Sequence, residues 1–437
     1  RRSSTLSGGE SQRINLATSL GSSLVGSMYI LDEPSIGLHS KDTERLIRIL
    51  KKLRDIGNTV IIVEHDEEII SQADQIIDIG PEAGIFGGEI IYQGTLKHIF
   101  KEKKSLTTQY LSGNLKIPIP NKRKHLKDKI SLKGINQYNL NNLNINIPIG
   151  GLTLITGMSG SGKSTLIKDV LHHAMNRYLN NSKSDENYKS IDVSTKTITK
   201  IEFVNQNPIG KSSRSNPATY LKIYDEIRKL FANQDVAKVR KYTTGFFSFN
   251  VEGGRCDKCK GEGEIIVEMQ FMANVHLKCS QCKGKRFKKE ILEVKFANKN
   301  ISDILELSVD EAIIFFKDNG QINIVKKIEP LRSVGLGYIK LGQSSNTLSG
   351  GEAQRIKLAL FLSKGDSADK TLFIFDEPTT GLHFHDINKL LNSFYALINK
   401  EHSIICIEHN LDIIKCADWI IDLGPEGGNK GGKVVFE

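Results

Sequence analysis

A glycine-rich stretch at positions 157–165 has the residue types and spacing of a phosphate-binding loop. Its residues are Gly157, Met158, Ser159, Gly160, Ser161, Gly162, Lys163, Ser164 and Thr165. Glycines let backbone N–H groups and the next helix N-terminus face anionic oxygens, while Lys163 reaches the outer phosphates and Ser164 can bind magnesium. An apolar run precedes the loop and a helical pattern follows it, which distinguishes it from an ordinary glycine- and serine-rich turn. The stretch therefore predicts a site for nucleotide phosphates and magnesium.

Two carboxylates follow a strongly apolar run near the C-terminus, at Asp376 and Glu377. A strand ending there would hold both side chains beside the phosphate loop, where Asp376 suits magnesium through water and Glu377 suits activation of the attacking water. His409 ends the next apolar run and can contact the same phosphate. Gln206 lies in a short polar loop from which it can reach both magnesium and water. These four residues are the candidate catalytic set.

The chain contains an internal repeat with a period of about 340 residues. The stretch Thr5–Ile14 recurs almost unchanged as Thr347–Ile356, and the later Asp-Glu-Pro, Gly-Leu-His and Glu-His stretches recur in the same order. The first copy therefore offers its own acidic pair, Asp32 and Glu33, and its own histidine, His65. Only the second copy has a phosphate-binding loop in this sequence. The repeat predicts two copies of one catalytic half.

Four cysteines form two Cys-x-x-Cys pairs that are 19 residues apart. They are Cys256, Cys259, Cys279 and Cys282. This spacing is typical of a four-cysteine zinc module, and four thiolates would leave no open coordination position, so the zinc is expected to be structural. The alternative is two unrelated pairs of free thiols. Cys406 and Cys416 lie in apolar surroundings and are expected to be core thiols.

Basic residues crowd beside the second cysteine pair. They are Lys283, Lys285, Arg286, Lys288 and Lys289, with Phe287 among them. This pattern suits a nucleic-acid backbone with possible base stacking, and a solvated basic strand is the alternative. The net charge of +10 favours anionic partners, although plain solubility is compatible with it. A second basic run at 122–125 is more simply a solvated surface, and Tyr138 suits either adenine stacking or a sheet edge.

The whole sequence predicts a mostly parallel α/β protein with several domains, because strands and helices alternate around a phosphate loop in a chain of 437 residues. A hydrophobic content of 39% and a charged content of 25% are those of a soluble protein. No apolar run reaches 18 residues and no export signal precedes the first motif, so we expect no membrane partner and a cytoplasmic location. The missing initial Met suggests a fragment.

The two glycine-rich repeats resemble the signature motif of ABC ATPases, with the acidic strand and the histidine of that superfamily following each. In ABC ATPases, ATP lies between the phosphate loop of one nucleotide-binding domain and the signature of another. The resemblance implies one complete site, built from the phosphate loop and the first signature, Ser7, Gly8 and Gly9. The second signature (Ser349, Gly350 and Gly351) with Asp32, Glu33 and His65 would need a phosphate loop from a preceding segment or another chain.

The resemblance extends to the UvrA family of bacterial nucleotide excision repair. It is carried by the zinc insertion between the second phosphate loop and signature, and by the stretches 205–210, 214–220, 247–251 and 336–343. It implies ATP-dependent dimerisation, binding to distorted duplex DNA and loading of UvrB, which recruits the nuclease UvrC, without nuclease activity in this chain. Asn205 stands where an Asp is usual, and 211–213 also depart from the pattern, which leaves room for a paralogue in drug resistance. An exporter ATPase and a zinc-stabilised module with an inactive ATPase are further alternatives.

This resemblance implies ABC ATPase nucleotide-binding domains in two copies, the first partial, with a zinc-binding insertion in the second. The expected segments are the second half of the first nucleotide-binding domain with the start of a linker (1–115), the start of the second domain with its phosphate loop (116–171), the insertion (172–340) and the signature and acidic-strand half of the second domain (341–437).

Overall fold

The computed structural model describes residues 14, 25–35, 37–38, 40–81, 84, 87–102, 104–182, 187–210, 212–267, 275–364 and 369–437. They form two compact units. The first unit takes its described residues from 1–82, 86–205 and 366–437, and the second takes them from 83–85 and 206–365. The predicted Ser7, Gly8 and Gly9 lie outside the described residues.

The strands of the described residues are β1 (Met28–Asp32), β2 (Thr59–Val63), β3 (Ile76–Gly80), β4 (Glu89–Gly94), β5 (Asp128–Gln137), β6 (Leu140–Ile149), β7 (Leu152–Gly157), β8 (Ser190–Val193), β9 (Ile198–Val204), β10 (Glu264–Val267), β11 (Val275–Lys278), β12 (Lys295–Phe296), β13 (Lys299–Asn300), β14 (Lys370–Asp376), β15 (Ser403–Ile407), β16 (Trp419–Gly424) and β17 (Lys433–Phe436).

The α-helices are α1 (Ser40–Asp55), α2 (Glu67–Ile70), α3 (Leu96–Ile99), α4 (Leu106–Leu111), α5 (His173–Leu179), α6 (Pro217–Tyr220), α7 (Ile223–Ala232), α8 (Asp235–Val239), α9 (Lys289–Leu292), α10 (Ile301–Glu306), α11 (Val309–Asp318), α12 (Ile322–Ser333), α13 (Gly350–Ser363), α14 (Phe384–Asn399) and α15 (Leu411–Ile414). Thr165–His172 forms π-type turns that run into α5, and short 3₁₀ turns occupy Ser345–Thr347 and Gly428–Lys430.

A six-stranded sheet in the order β17-β16-β7-β15-β14-β9 forms the centre of the first unit. All its neighbouring pairs are parallel except β16 with β17. Every residue of β7 and β15 is buried, as expected for strands covered on both faces. On one side, α14 buries Phe384, Ile387, Leu391 and Phe394 at helical spacing. The α/β class predicted from the sequence is confirmed.

The internal repeat is visible as two strand pairs in the first unit. β1 pairs with β2 in parallel and places Asp32 opposite Val63, and β14 pairs with β15 so that Asp376 lies opposite Ile407. Both acidic residues are thus followed by a glutamate at the same end of a parallel pair. The equal register means that both copies present their carboxylates by the same backbone geometry.

The second unit is mainly helical and contains the four cysteines. Its helices α10 and α11 both begin with reciprocal caps, in which the side chain before the helix and the side chain three positions later bond each other's backbone N–H groups. The longer of its two segments is 206–365, whereas the sequence predicted an insertion over 172–340. The difference at the start arises because β9 pairs with β14 in the central sheet and β8 pairs with β5, so residues before 205 belong with the first unit.

Among the residues that the structure describes, none of the helices is both long enough and apolar enough to cross a bilayer.

Candidate functional site

The phosphate loop leaves β7 in a conformation that requires glycine. Gly157, Gly160 and Gly162 have φ values of 132°, 77° and 105°, a region that side chains disfavour. A Cβ at Gly157 would also lie 2.1 Å from the carbonyl oxygen of Leu423, so no other residue fits there. The glycines predicted to shape a phosphate cradle therefore have the backbone that such a cradle needs.

Lys163 lies at the centre of the loop and is only 6% exposed. Its Nζ donates to the carbonyl oxygens of Gly157 and Met158, at 2.8 Å each, so the ammonium is held inside the turn. Burial lowers the pKa of Lys163 to about 8, against the opposing effect of the nearby carboxylates of Glu377 and Asp376. A buried ammonium in a glycine-rich turn before a helix is suited to an anionic ligand.

The residues of this loop fit a nucleotide phosphate. Ser161 Oγ is buried and has no hydrogen-bond partner, and the Ser164 side chain makes no cap bond with its own helix. A buried hydroxyl without a hydrogen-bond partner lowers the stability of the fold. Ser161 Oγ is therefore suited to a hydrogen bond with a bound ligand. The donor set of Lys163, Ser161 and Ser164 has the chemistry that phosphate and magnesium require.

Asp376 and Glu377 lie at the carboxyl end of β14, on the same sheet as the loop. Burial and the nearby Glu377 carboxylate together raise the pKa of Asp376 to about 6, while Lys168 and Lys163 oppose the shift. Glu377 adopts a φ of 45°, which is unusual for a residue with a side chain and is often found at functional sites. The backbone therefore turns at Glu377, directly after β14.

His409 follows β15, and its Nε2 lies 3.6 Å from Oε1 of Glu377, the residue predicted to activate water. The residue that fixes this histidine is Glu408, which is 2% exposed. One of its oxygens accepts the backbone N–H of His409 (2.8 Å) and Asn410 (3.0 Å), and the other accepts the N–H (3.0 Å) and hydroxyl (2.5 Å) of Thr379. Glu408 thereby ties the histidine loop to the loop after Glu377.

No role was predicted from the sequence for Glu408 or for its first-copy counterpart, Glu64. The signal was available, because a charged residue inside an apolar strand end needs several hydrogen bonds to be buried. In the first copy, Glu64 accepts from the backbone N–H of Ser35 (2.9 Å), His65 (2.9 Å) and Asp66 (3.2 Å). The same arrangement thus occurs twice.

The first copy also reproduces the pairing of glutamate and histidine. His65 Nε2 is 3.7 Å from Glu33 Oε1, and Glu33 has the same φ of 45° as Glu377. The structure therefore places His65 beside Glu33, directly after Asp32, and the incomplete second site stays a prediction.

The two copies meet through their glutamates. A Cβ at Gly37 would lie 3.1 Å from Glu377 Oε2, and one at Gly381 would lie 2.8 Å from Glu33 Oε2. Each glutamate therefore touches a glycine from the loop of the other copy. A cavity of about 430 Å³ lies between them and is lined by both glutamates and both histidines.

The second signature lies in the second unit, at the start of α13. Ser349 caps the helix by accepting the N–H of Glu352 (3.2 Å), and Glu352 Oε2 accepts the N–H of Ser349 in return (2.8 Å). Gln206 belongs to the same unit, where a Cβ at Gly350 would lie 3.0 Å from its Cβ. Gly350 and Gly351 thus open a capped helix N-terminus, the kind of terminus that favours anions.

The four predicted zinc ligands converge. The sulfurs of Cys256, Cys259, Cys279 and Cys282 all lie within 4.8 Å of one another, and all four residues are buried. Each pair is followed by a lysine and a glycine with positive φ, and Gly263 N–H donates to Cys259 Sγ (3.3 Å). Burial alone would raise the pKa of Cys279, but N–H groups of Cys282 and Gln281 lower it to about 7. The donor set fits a closed four-thiolate zinc site.

The basic residues beside the zinc module do not act as one surface. Lys283, Lys285 and Lys289 are exposed, whereas Lys288 forms an ion pair with Asp257 at 3.0 Å. Arg286 faces inward, with its guanidinium 5.3 Å from the centre of the Phe249 ring and a bond to the carbonyl of Gly342 (3.2 Å). Burial lowers its pKa. Arg286 is a packing residue here.

Base stacking by Phe287 was a wrong prediction, because Phe287 is 1% exposed and packs against Phe249. Phe287 forms an isolated antiparallel bridge with Arg255, and its ring is buried in this position. Tyr138 is by contrast 79% exposed, in the turn between β5 and β6. The two remaining cysteines, Cys406 and Cys416, are buried as predicted.

Comparison with known proteins shows end-to-end similarity to one group of sequences. The chain is 55% identical to UvrABC system protein A of Clostridium tetani over 436 residues, 53% to that of Aquifex aeolicus and 52% to that of Thermus thermophilus. Each match covers 100% of this chain and 46–47% of the relative, so the chain spans about half the length of the curated relatives it matches. No protein-family model matches the chain.

Solved structures agree with the sequence comparison. The crystal structure of UvrA2 from Deinococcus radiodurans superposes with a TM-score of 0.92 at 43% identity, covering 99% of this chain and 52% of that one. The archaeal ribosome recycling factor aABCE1, in complex with the stalk protein aP1, superposes with a TM-score of 0.51 at 17% identity, covering 99% of this chain and 64% of that one. The second likeness shows a shared nucleotide-binding fold alone.

Proposed function

We propose that this chain, which belongs to the UvrA family by its end-to-end similarity to UvrABC system protein A, contains an ATP-hydrolysing site of a DNA-damage recognition protein. The observation that carries the proposal is the convergence of Lys163, Asp376 and Glu377 with His409 on one sheet. Their strands lie side by side in the order β7-β15-β14, and ligands bind where the carboxyl ends of parallel strands meet.

In the proposed reaction, the backbone N–H groups of residues 157–165 and the Lys163 ammonium hold the ATP phosphates. Ser164 and Asp376 hold magnesium, which neutralises charge on the outer phosphates when it is bound. Glu377 accepts the proton of the attacking water, and His409, fixed by Glu408, keeps the glutamate oriented. Gln206 supplies a further polar contact to water and metal. Burial favours this chemistry because it strengthens each electrostatic contact.

The second halves of the composite sites come from the signatures. We propose that Ser7, Gly8 and Gly9 cover the nucleotide held at 157–165. Ser349, Gly350 and Gly351 would likewise cover a nucleotide held beside Asp32, Glu33 and His65. A capped helix N-terminus adds N–H donors and a positive dipole end to the triphosphate. ATP binding would then draw domains or chains together, which is consistent with a homodimer.

We propose that the zinc module has a structural role and that the exposed lysines beside it bind DNA. Cys256, Cys259, Cys279 and Cys282 would hold one structural zinc ion, and the exposed Lys283, Lys285 and Lys289 beside it would contact DNA phosphates. The relatives' name places them in the UvrABC system. We propose double-stranded damaged DNA and UvrB as partners, with UvrC acting later, and a cytoplasmic location. The chain itself would be an ATPase and not the nuclease.

Duplex binding tests this proposal. Intact DNA is compared with DNA carrying one bulky adduct, over a salt series, with and without ATP. Phosphate contacts alone give salt-dependent binding that ignores the lesion. We expect tighter and ATP-sensitive binding to the adduct. Equal binding to both duplexes, with ATP hydrolysis intact, would refute damage recognition and leave a nucleotide-driven protein of another purpose.

A further inference from the structure

The segment that follows the first copy and contains helix α4 is called the connector here. Within the first unit, it contacts the loop of the second copy that contains His383. Helix α4, capped by Ser105, brings Thr107 Oγ1 to 3.2 Å from His383 Nε2. The Tyr110 ring stacks on Phe384, with ring centres 5.5 Å apart and planes 22° apart, and meets His383 edge-on at 6.1 Å. The contact therefore has both a polar part and an aromatic part.

The hydrogen bonds at His383 have one consistent direction. Its Nδ1 accepts the backbone N–H of His385 (3.3 Å), so the neutral ring carries its proton on Nε2 and donates to Thr107 Oγ1. The Thr107 hydroxyl then donates to Asp78 Oδ1 (2.9 Å). Burial, with His65 nearby, lowers the pKa of His383 to about 4, which keeps the ring neutral. The chain of donors ends on a carboxylate.

Asp78 and its counterpart in the second copy, Asp422, accept hydrogen bonds from different segments of the chain. Asp422 accepts the hydroxyl of Thr156 on the strand that leads into the phosphate loop (2.7 Å). Asp78 instead accepts two hydroxyls of the connector, from Thr107 and from Ser105 (2.5 Å). The connector thus makes two hydrogen bonds to Asp78 of the first copy and one hydrogen bond to His383 of the second copy.

The second-copy loop that contains His383 also packs against Glu33. Gly381, two residues before His383, lies against the Glu33 carboxylate, and the His383 ring meets the His65 ring edge-on at 6.2 Å. His65 in turn lies 3.7 Å from Glu33. A shift of His383 would therefore move both groups that pack around this glutamate.

We propose that Thr107 and His383 are positioning residues that hold the loop of the second copy against Glu33 and His65, and so set the rate of ATP hydrolysis at the first-copy site. This inference rests on the proposed ATPase function. Thr107 contacts none of the described residues of the first-copy site, and His383 reaches Glu33 only through the His65 ring and Gly381. Their effect should therefore appear in kcat and not in the KM for ATP, because the loop orients Glu33 without binding phosphate.

The experiment measures ATP turnover by the full-length natural protein in two backgrounds. Glu377→Gln leaves hydrolysis to the first-copy site, and Glu33→Gln leaves it to the second-copy site. Thr107→Val removes the bridging hydroxyl at nearly constant volume, Thr107→Ser restores it, and the exposed Thr95→Val is the matched control. We expect Thr107→Val to lower kcat about fivefold to tenfold in the Glu377→Gln background only, with Thr107→Ser recovering the rate.

A second measurement does not depend on separating the sites. In the otherwise natural protein, Thr107→Val and His383→Gln should each slow turnover, and the double variant should be no slower than the worse single one, because both break the same bond. Additive losses, equal slowing in both backgrounds, or no effect of Thr107→Val would each overturn the positioning role. An unmodified protein without ATP hydrolysis would instead refute the proposed function itself.

Discussion

Replacing the buried glutamate that fixes the histidine loop, Glu408→Gln, should destabilise the central sheet measurably. Glu408 accepts four hydrogen bonds from three residues while only 2% exposed. Glutamine has nearly the same shape but only one accepting oxygen. If that oxygen keeps the N–H groups of His409 and Asn410, the new NH₂ group faces the N–H of Thr379, and a donor then meets a donor.

The magnitude follows from these bonds. The orphaned Thr379 N–H costs about 1–3 kcal/mol, and the two retained bonds each weaken by about 1 kcal/mol when their acceptor loses its charge. Relief from burying a carboxylate offsets part of this, since burial raises the pKa of Glu408. We expect a net loss of about 2 kcal/mol in the free energy of unfolding.

Urea denaturation of the 437-residue chain, followed by tryptophan fluorescence, measures this loss. Trp419 is the one tryptophan of the sequence and lies in β16 of the same sheet. Glu64→Gln is the matched control, because it changes the equivalent residue in a strand pair that does not join this sheet. An unchanged midpoint for Glu408→Gln, or an equal shift for Glu64→Gln, would refute the reasoning.

Three further results are expected. Lys163→Ala should abolish ATP binding and hydrolysis at the complete site, because it removes the buried ammonium that meets the phosphates; a site-isolated variant with unchanged turnover contradicts this. The ATP dissociation constant should rise above pH 8, as Lys163 loses its proton near its lowered pKa of about 8, and titration at pH 7 and pH 9 that gives equal constants would contradict it. Cys279→Ser should lower bound zinc from one ion per chain to none by metal analysis, while Cys416→Ser retains it; equal zinc content would disprove the ligand assignment.

Lysine titration also affects stability in a definite direction. The folded pKa of Lys163 lies below its ordinary value of 10.5, so between about pH 8 and 10.5 the unfolded chain binds more protons than the folded one. The contribution of this group to folding therefore increases with pH across that window, while ATP affinity decreases. The two trends separate the binding role of the ammonium from a role in stability.

Much of the site could be predicted because its residues depend on local sequence. A phosphate loop needs glycines and lysine at fixed spacing, and an apolar run before Asp376 can form only a buried strand that presents the acid at its end. The four cysteines likewise carry their own spacing rule. In these cases the chemistry and the backbone requirement lie within a few neighbouring residues.

The remaining features depend on contacts between distant residues. The role of Glu408 depends on its hydrogen bonds with Thr379, 29 positions away. The role of His383 depends on its hydrogen bond with Thr107, 276 positions away. Whether Phe287 or Arg286 faces solvent is decided by Phe249 and Gly342, which the local pattern does not reveal. The described residues before 206 belong with the first unit because β9 pairs with β14, a strand that follows the second unit in the chain.

The central claim is that Glu377 activates water at a site that binds ATP through the loop at 157–165. The most direct measurement compares ATP binding and ATP turnover for Glu377→Gln, with Glu426→Gln, an exposed carboxylate of the same unit, as control. The account predicts that Glu377→Gln binds ATP as tightly as the unmodified protein while its turnover falls by about 10²- to 10⁴-fold. Unchanged turnover in that variant would contradict it.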